Sequence, residues 1–313
     1  MVGPADPARN DDPGLMRAPA CLLLVFGMVT APACAQEVIR FDEHLDSDRP
    51  EAWAMNYFTS ITLLSGLSVP RGRDAGSVEI AAEAGWIPYL SKSERTVGFN
   101  GTKEEDLNHS PVFARPRVTI GLPWRTALTL SYVPPVRIAG LKPHLFAFAL
   151  ERPLYERDPL TLGVRFYGQF GEVKGPITCW SDVVKFPPGS VQNPYGCEEK
   201  SNDRAGQRYL GLELSGAWRL EGLGGLTPWA AVAGNFLDTE AQVNALTFGY
   251  RDRSLLTSES WTFAVSAGAG YPLTDRIGIS VGMFYAPLPV ERPASRDNDA
   301  LFNVRALISY QFQ

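Results

Sequence analysis

The feature that most constrains this chain is a period-2 alternation, carried through segments of roughly ten residues divided by turns from about Asn56 to the end. Successive side chains of a strand point to opposite faces, so each segment has two readable faces. Leu162, Val164, Phe166 and Phe170 share one, and Thr161, Arg165, Tyr167 and Gln169 the other. Leu210, Leu212, Leu214 and Trp218 likewise oppose Gly211, Glu213, Ser215 and Arg219. Val265 opposes Ser266 within Trp261 to Tyr271, and Ile279 and Val281 oppose Ser280 and Gly282. In the last segment Phe302, Val304 and Ile308 oppose Asn303, Arg305 and Ser309. A soluble sandwich alternates too, so periodicity alone leaves two architectures open.

Aromatic placement and loop length separate them. Bilayer barrels gather Trp and Tyr at both ends of the apolar face, where rings meet headgroups. With short turns taken as periplasmic, Trp124, Trp218, Trp229, Tyr271 and Phe312 fall at the periplasmic ends of strands. Trp86, Phe170, Trp261, Tyr285 and Phe302 fall at the outer ends. Short connections near Pro123, Pro153, Glu221 and Pro272 alternate with long polar ones near Ser91, Lys174, Asp238 and Pro287. The expected fold is all-β, an antiparallel transmembrane β-barrel with short periplasmic turns and long outer loops.

Over its mature length the chain resembles Gram-negative outer-membrane β-barrels, and its ending, Tyr310-Gln311-Phe312-Gln313, is similar to their C-terminal assembly signal. That signal normally ends on the aromatic, and here Gln313 follows. The resemblance implies the outer-membrane bilayer and the barrel-assembly machinery as partners. A class of barrels implies no single activity. Eleven segments begin near Tyr57, Val78, Arg117, Thr126, His144, Leu160, Tyr209, Trp229, Trp261, Ile277 and Phe302. Even closure predicts about twelve strands, the missing one in Glu51 to Phe58 or Asp238 to Ser260, with about ten as the alternative if Tyr57 to Val69 packs differently.

Export accords with the N-terminal sequence. Arg17, the apolar run Cys21 to Val29 and Ala33-Cys34-Ala35 read as a cleaved signal peptide, so residues 1–35 form the leader, with Met16 a second candidate start. A lipoprotein anchor at Cys34 is disfavoured because Ala31-Pro32-Ala33 lacks the usual leucine. Residues 36–50, acidic and without alternation, are expected to form a periplasmic tail or small plug, and residues 51–313 the barrel. No later stretch reaches the about 18 apolar residues of a membrane helix. Cys179 and Cys197, left after cleavage in a loop-like stretch, are expected to pair in an oxidising compartment.

Inward parity gathers Glu79, Glu83, Arg115, Arg117, Arg165, Glu213, Arg219 and Arg305 as lumen-lining candidates. Such a set suits a polar lumen and admits two uses: a network that neutralises itself and seals, or the wall of a narrow pore for a small solute. The functional expectation is a narrow channel or transporter, with a closed structural or adhesion barrel acting through its outer loops as the alternative. A membrane-embedded phospholipase is a weaker third, resting on Asn108-His109-Ser110, because outer-membrane phospholipases use those residue types. Three adjacent side chains on an extended loop diverge and cannot form a triad. Glu104, Glu105 and Asp106 match no calcium-loop spacing, and C-x17-C matches no zinc site, so no metal or cofactor is expected. A formal net charge of −5 without a basic stripe argues against nucleic acid. Nothing in the sequence sets the oligomeric state.

Overall fold

Ten of the alternating segments pair into one antiparallel sheet that closes on itself. They are β1 (Val78–Trp86), β2 (Val112–Leu122), β3 (Thr126–Val133), β4 (Lys142–Arg157), β5 (Leu160–Gly175), β6 (Asp203–Trp218), β7 (Thr227–Gln242), β8 (Leu255–Pro272), β9 (Ile277–Ala286) and β10 (Leu301–Phe312). Each strand pairs with its neighbours in sequence, and β10 returns to β1 with Arg305 opposite Gly85 and Phe312 opposite Val78. Closure leaves no sheet edge unpaired, which a hydrocarbon environment demands. The computed structural model describes residues 37–292 and 295–312. The expected leader, 1–35, lies outside the described residues.

The strand count corrects the expectation of about twelve. Glu51 to Phe58, expected as the missing strand, lies in a helix, α1 (Pro50–Ile61), and Thr62 to Val69 has no strand structure. The long Asp238 to Ser260 connection extends β7 and β8 and adds a short hairpin, Ala245–Thr247 with Tyr250–Asp252, outside the barrel wall. One more strand outside the closed set, Asp42–His44, runs parallel to Leu255–Thr257.

Strands β4 to β7 have 16 residues each and β8 has 18, whereas about 9–11 cross a bilayer. Their excess length rises at the long-loop end and supports a cap of folded loops. The outward parity carries Leu162, Leu212, Val265, Val281, Met283 and Ile308, all exposed on the barrel exterior. An apolar exterior on a closed sheet, banded by aromatics, is the surface of a barrel of the outer membrane.

The inner parity is unlike the outer. Ala147, Ala149, Gly163, Gly211, Ala231, Ala233, Ala264 and Gly268 keep the wall thin, which leaves room for a guest. That guest is the chain's own α1. Trp53, Tyr57 and Ile61 pack against Ala147, Ala149, Tyr167, Ala233, Leu237 and Phe284 in one apolar cluster. Nine of the twelve residues of α1 are buried, so the helix is surrounded on nearly every side.

After α1 the chain descends through the lumen as an extended strap, residues 62–73. A Cβ on Gly163 would lie 2.8 Å from Pro70 Cβ, so only glycine lets the strap pass that strand. The Gly72 amide donates to Glu156 at the short-turn end (3.1 Å), and the Gly76 amide to the Gly121 carbonyl (2.9 Å). Residues 37–49, expected as a tail or plug at the periplasmic end, instead run along the long-loop rim: Val38–Ile39 pair with Arg251 and Asp252, and the Leu45 amide donates to Thr257 O.

Candidate functional site: the sealed lumen and its cap

A helix leaves its last carbonyls without intrahelical donors, and inside a barrel water cannot fully serve them. Here the wall supplies guanidinium groups. Arg305, 2% exposed at its side chain, donates from Nη1 to Leu63 O (2.7 Å) and Ser65 O (3.3 Å), and from Nη2 to Ser60 O (3.3 Å) and Ile61 O (3.2 Å). Its guanidinium also lies 4.0 Å from the centre of the Phe284 ring. Arg115 donates to Thr62 O (2.7 Å) and Leu63 O (3.3 Å), and the Tyr209 hydroxyl to Thr62 O (2.8 Å). Positive charge at the C-terminal end of α1 also suits the helix dipole.

These cations are held by a buried carboxylate. Glu83 accepts from Arg115 Nε (2.5 Å) and Arg117 Nε (2.8 Å), with Arg305 at 4.0 Å. Deeper in the lumen Arg165 joins two more carboxylates, Glu151 (2.8 Å) and Glu213 (2.7 Å), while donating to Ser68 O (2.9 Å). Glu213 in turn accepts from the Gly66 amide at 2.6 Å. Strap and wall therefore share one network. Exposed pairs such as Lys185–Asp182 are screened by water, whereas breaking a buried pair costs about 3–5 kcal/mol. The lumen pairs dominate the electrostatics.

All eight charged candidates lie along this lumen or at its short-turn mouth. Glu79 pairs with Arg73 of the strap (3.0 Å), and Glu83, Arg115, Arg117, Arg165, Glu213 and Arg305 form the two buried clusters. Arg219 lines the cavity at the short-turn mouth of the lumen. It follows the end of β6, sits exposed at the short-turn rim and pairs with Glu221 at 2.6 Å. Glu151 escaped the sequence reading, although its parity with Ala147 and Ala149 in β4 marked it as inward.

Among the aromatics, Trp86, Trp124, Trp218, Trp261, Tyr271, Tyr285 and Phe312 are exposed on the exterior or its turns. Trp229 is a correction. It shares the inner parity of Ala231 and Ala233, is 6% exposed, and donates Nε1–H to Ser280 Oγ at 3.1 Å. Its ring lies across Gly268 and Gly282, where an added Cβ would come within 2.7 Å and 2.6 Å of ring carbons. It belongs to the lumen, not to the membrane interface.

Below the strap a cavity of about 630 Å³ opens at the short-turn end, lined in part by Leu67, Arg71, Arg73, Glu79, Trp229 and Gln311. Above, the loops form a rigid cap. Cys179 and Cys197 are joined, with Cα atoms 5.7 Å apart. Lys103 is buried, donating to Glu105 (2.6 Å) and Thr178 O (2.8 Å) with its Nζ 5.6 Å from the centre of the Tyr195 ring. Burial pushes the Glu105 carboxyl up to about 7, against the opposing pull of Lys103. Phe99 stacks on Tyr195, and the Asn100 amide donates to Glu51 of α1.

The residues weighed for chemistry do not converge. Asn108 is spent on the backbone of Leu90, Ser110 Oγ donates to Val112 O, and His109 faces Asp106 at 3.7 Å. Glu104 pairs with Arg95 and Glu105 with Lys103. Among the described residues no group of three or more His, Cys, Asp or Glu is placed to hold a metal ion.

No family model matches the chain, and no curated protein does. Similar solved structures include the translocator domain of the autotransporter NalP from Neisseria meningitidis (11% identity, 77% of this chain and 90% of that one, TM-score 0.41). The outer membrane protease OmpT from Escherichia coli is another (10% identity, 76% and 94%, TM-score 0.37). The Pseudomonas putida toluene transporter TodX is a third (12% identity, 88% and 78%, TM-score 0.35). Likenesses this distant carry no information about activity.

Proposed function

We propose that this chain is an outer-membrane barrel closed by its own N-terminal segment and acting through its outer cap. The observation that carries the reading is the occupied lumen: α1 fills the upper half, the strap runs down the lower half, and Arg115, Arg165 and Arg305 bind both to the wall. Short turns face the periplasm in this class, which sets the cap outside. The cap supports a binding role because its disulfide and buried lysine fix loops that still expose Phe41, Tyr89, Phe99, Val191 and Phe248. Exposed aromatics on a rigid support suit a macromolecular contact at the cell surface. Assembly through the terminal strand, ending on the exposed Phe312, belongs to the same reading.

A second reading, gated passage of a small solute, draws on the cavity below the strap and on the charged side chains in its lining, Arg71, Arg73 and Glu79 among them. Planar-bilayer recording of the refolded protein separates the two. The closed reading expects no open-channel steps from heat-modifiable, correctly folded protein. Steady conductance would reject it in favour of transport. The phospholipase alternative requires fatty acid release from detergent-dispersed phospholipid.

A further inference from the structure

We infer that the barrel carries its own N-terminal segment outward, so that Glu37 lies on the outer face and the chain threads the lumen before its first strand begins. This rests on the orientation adopted for the proposed function. An even-stranded barrel ordinarily keeps both ends of its wall, and with them both termini, on the periplasmic side. Here β1 and β10 do begin and end together at the short turns. The segment ahead of β1 does not stay with them.

Its course can be followed residue by residue. Val38–Ile39 pair parallel with Arg251 and Asp252, and Asp42–His44 with Leu255 to Thr257, both at the long-loop end. The Glu291 amide donates to Asp48 O (2.6 Å) and Trp53 Nε1 to Asp299 O (3.0 Å), which ties the start of α1 to the last long loop. From there contacts move steadily down the wall: Thr62 with Arg115, Gly66 with Glu213, Pro70 against Gly163, and Gly72 with Glu156 beside the short turns. The descent is complete.

Charge fixes the route. Residues 37–49 include Glu37, Arg40, Asp42, Glu43, Asp46, Asp48 and Arg49, and such a run does not cross hydrocarbon. The polar lumen is the path that avoids it, and the segment must pass before α1 and the strap settle into their sites. The barrel is thereby a conduit used on its own chain, and its outward product is an N-terminal strand built into the cap beside the hairpin Ala245–Thr247 and Tyr250–Asp252.

Single-cysteine variants Glu37→Cys, Phe41→Cys, Val191→Cys and Asp275→Cys of the full chain test this in whole cells with a membrane-impermeant maleimide. All four positions are exposed, and the native cysteines, being joined, do not react. Glu37→Cys, Phe41→Cys and Val191→Cys should label on intact cells, and Asp275→Cys only after the outer membrane is permeabilised. If Val191→Cys labels while both N-terminal positions stay silent until permeabilisation, the inference is overturned and the orientation stands. If Asp275→Cys labels and Val191→Cys does not, the orientation fails, and the inference fails with it. Phe41→Cys preserves the test should a change at Glu37 disturb processing.

Discussion

Arg165→Ala probes whether the ion network seals the lumen or merely lines it. The guanidinium bridges Glu151 and Glu213 and holds Gly66 and Ser68 of the strap through carbonyls at 3.5 Å and 2.9 Å. Its loss leaves two carboxylates facing each other, with Glu213 keeping only the Gly66 amide. Breaking a buried pair costs about 3–5 kcal/mol. The lower end applies, because a truncated arginine admits water from the cavity below, and bonds made by one guanidinium do not add independently. About 3 kcal/mol at about 1.4 kcal/mol per tenfold reduces seating of the strap by on the order of a hundredfold. The wall's backbone ladder is untouched. We therefore expect strand content to persist while thermal stability falls and open-channel steps appear in planar bilayers. Glu213→Ala should act alike, and the double variant should lose less than the two single changes together, with a coupling of about 0.5–3 kcal/mol. Unchanged stability with altered ion selectivity would refute the reasoning and make these arginines the lining of a working pore.

Three further outcomes follow from the same geometry. Val265→Arg, placing a charge on the lipid face, should cost about 2–4 kcal/mol or block assembly, and normal membrane insertion would count against the outward assignment. Replacing Cys179 and Cys197 by serine should loosen the cap by about 3 kcal/mol, read as earlier proteolysis of residues 177–203 without loss of the barrel. Glu105, raised from 4.5 to about 7 when folded, binds a proton in the folded cap that the unfolded loop releases, so cap stability should fall as pH rises through that window and level off above it. Glu105→Gln should flatten the slope in proteolysis of residues 96–105, and an unchanged slope would assign it to another group.

The wall was legible because each strand is seen by two different solvents, and parity alone separates Leu212 from Glu213 or Val265 from Ser266. The helix was not. α1 is enclosed by the barrel, so it lacks the polar face that gives a helix its 3.6-residue signature, and its aromatic run passes for a strand. The readable sign was Pro50 at its first turn, followed by Glu51. Trp229 lies near a strand end, where girdle aromatics gather, yet it shares the parity of Ala231 and Asn235, which is the interior face. The individual charges could be assigned to the lumen, but not their partners: Arg305 answers to carbonyls more than 200 residues away in sequence, and no local pattern encodes that meeting.

The fastening of the strap has a consequence for how this sequence can drift. The wall grips main-chain carbonyls of Ser60, Ile61, Thr62, Leu63 and Ser65, and every residue type presents the same carbonyl. The lock reads a path, not a spelling. Substitutions at Ser60, Ile61, Leu63 and Ser65 leave those carbonyls in place, while Thr62 also accepts from Gln169 through its hydroxyl and Gly66 has a positive φ with no room for a Cβ. Arg305 and Arg115 admit no equivalent, since lysine offers a point charge where a planar fork reaches several oxygens at once. Constraint is therefore lodged mostly in the enclosing half of the contact, and the enclosed half is held at a few points, Thr62 and Gly66 among them.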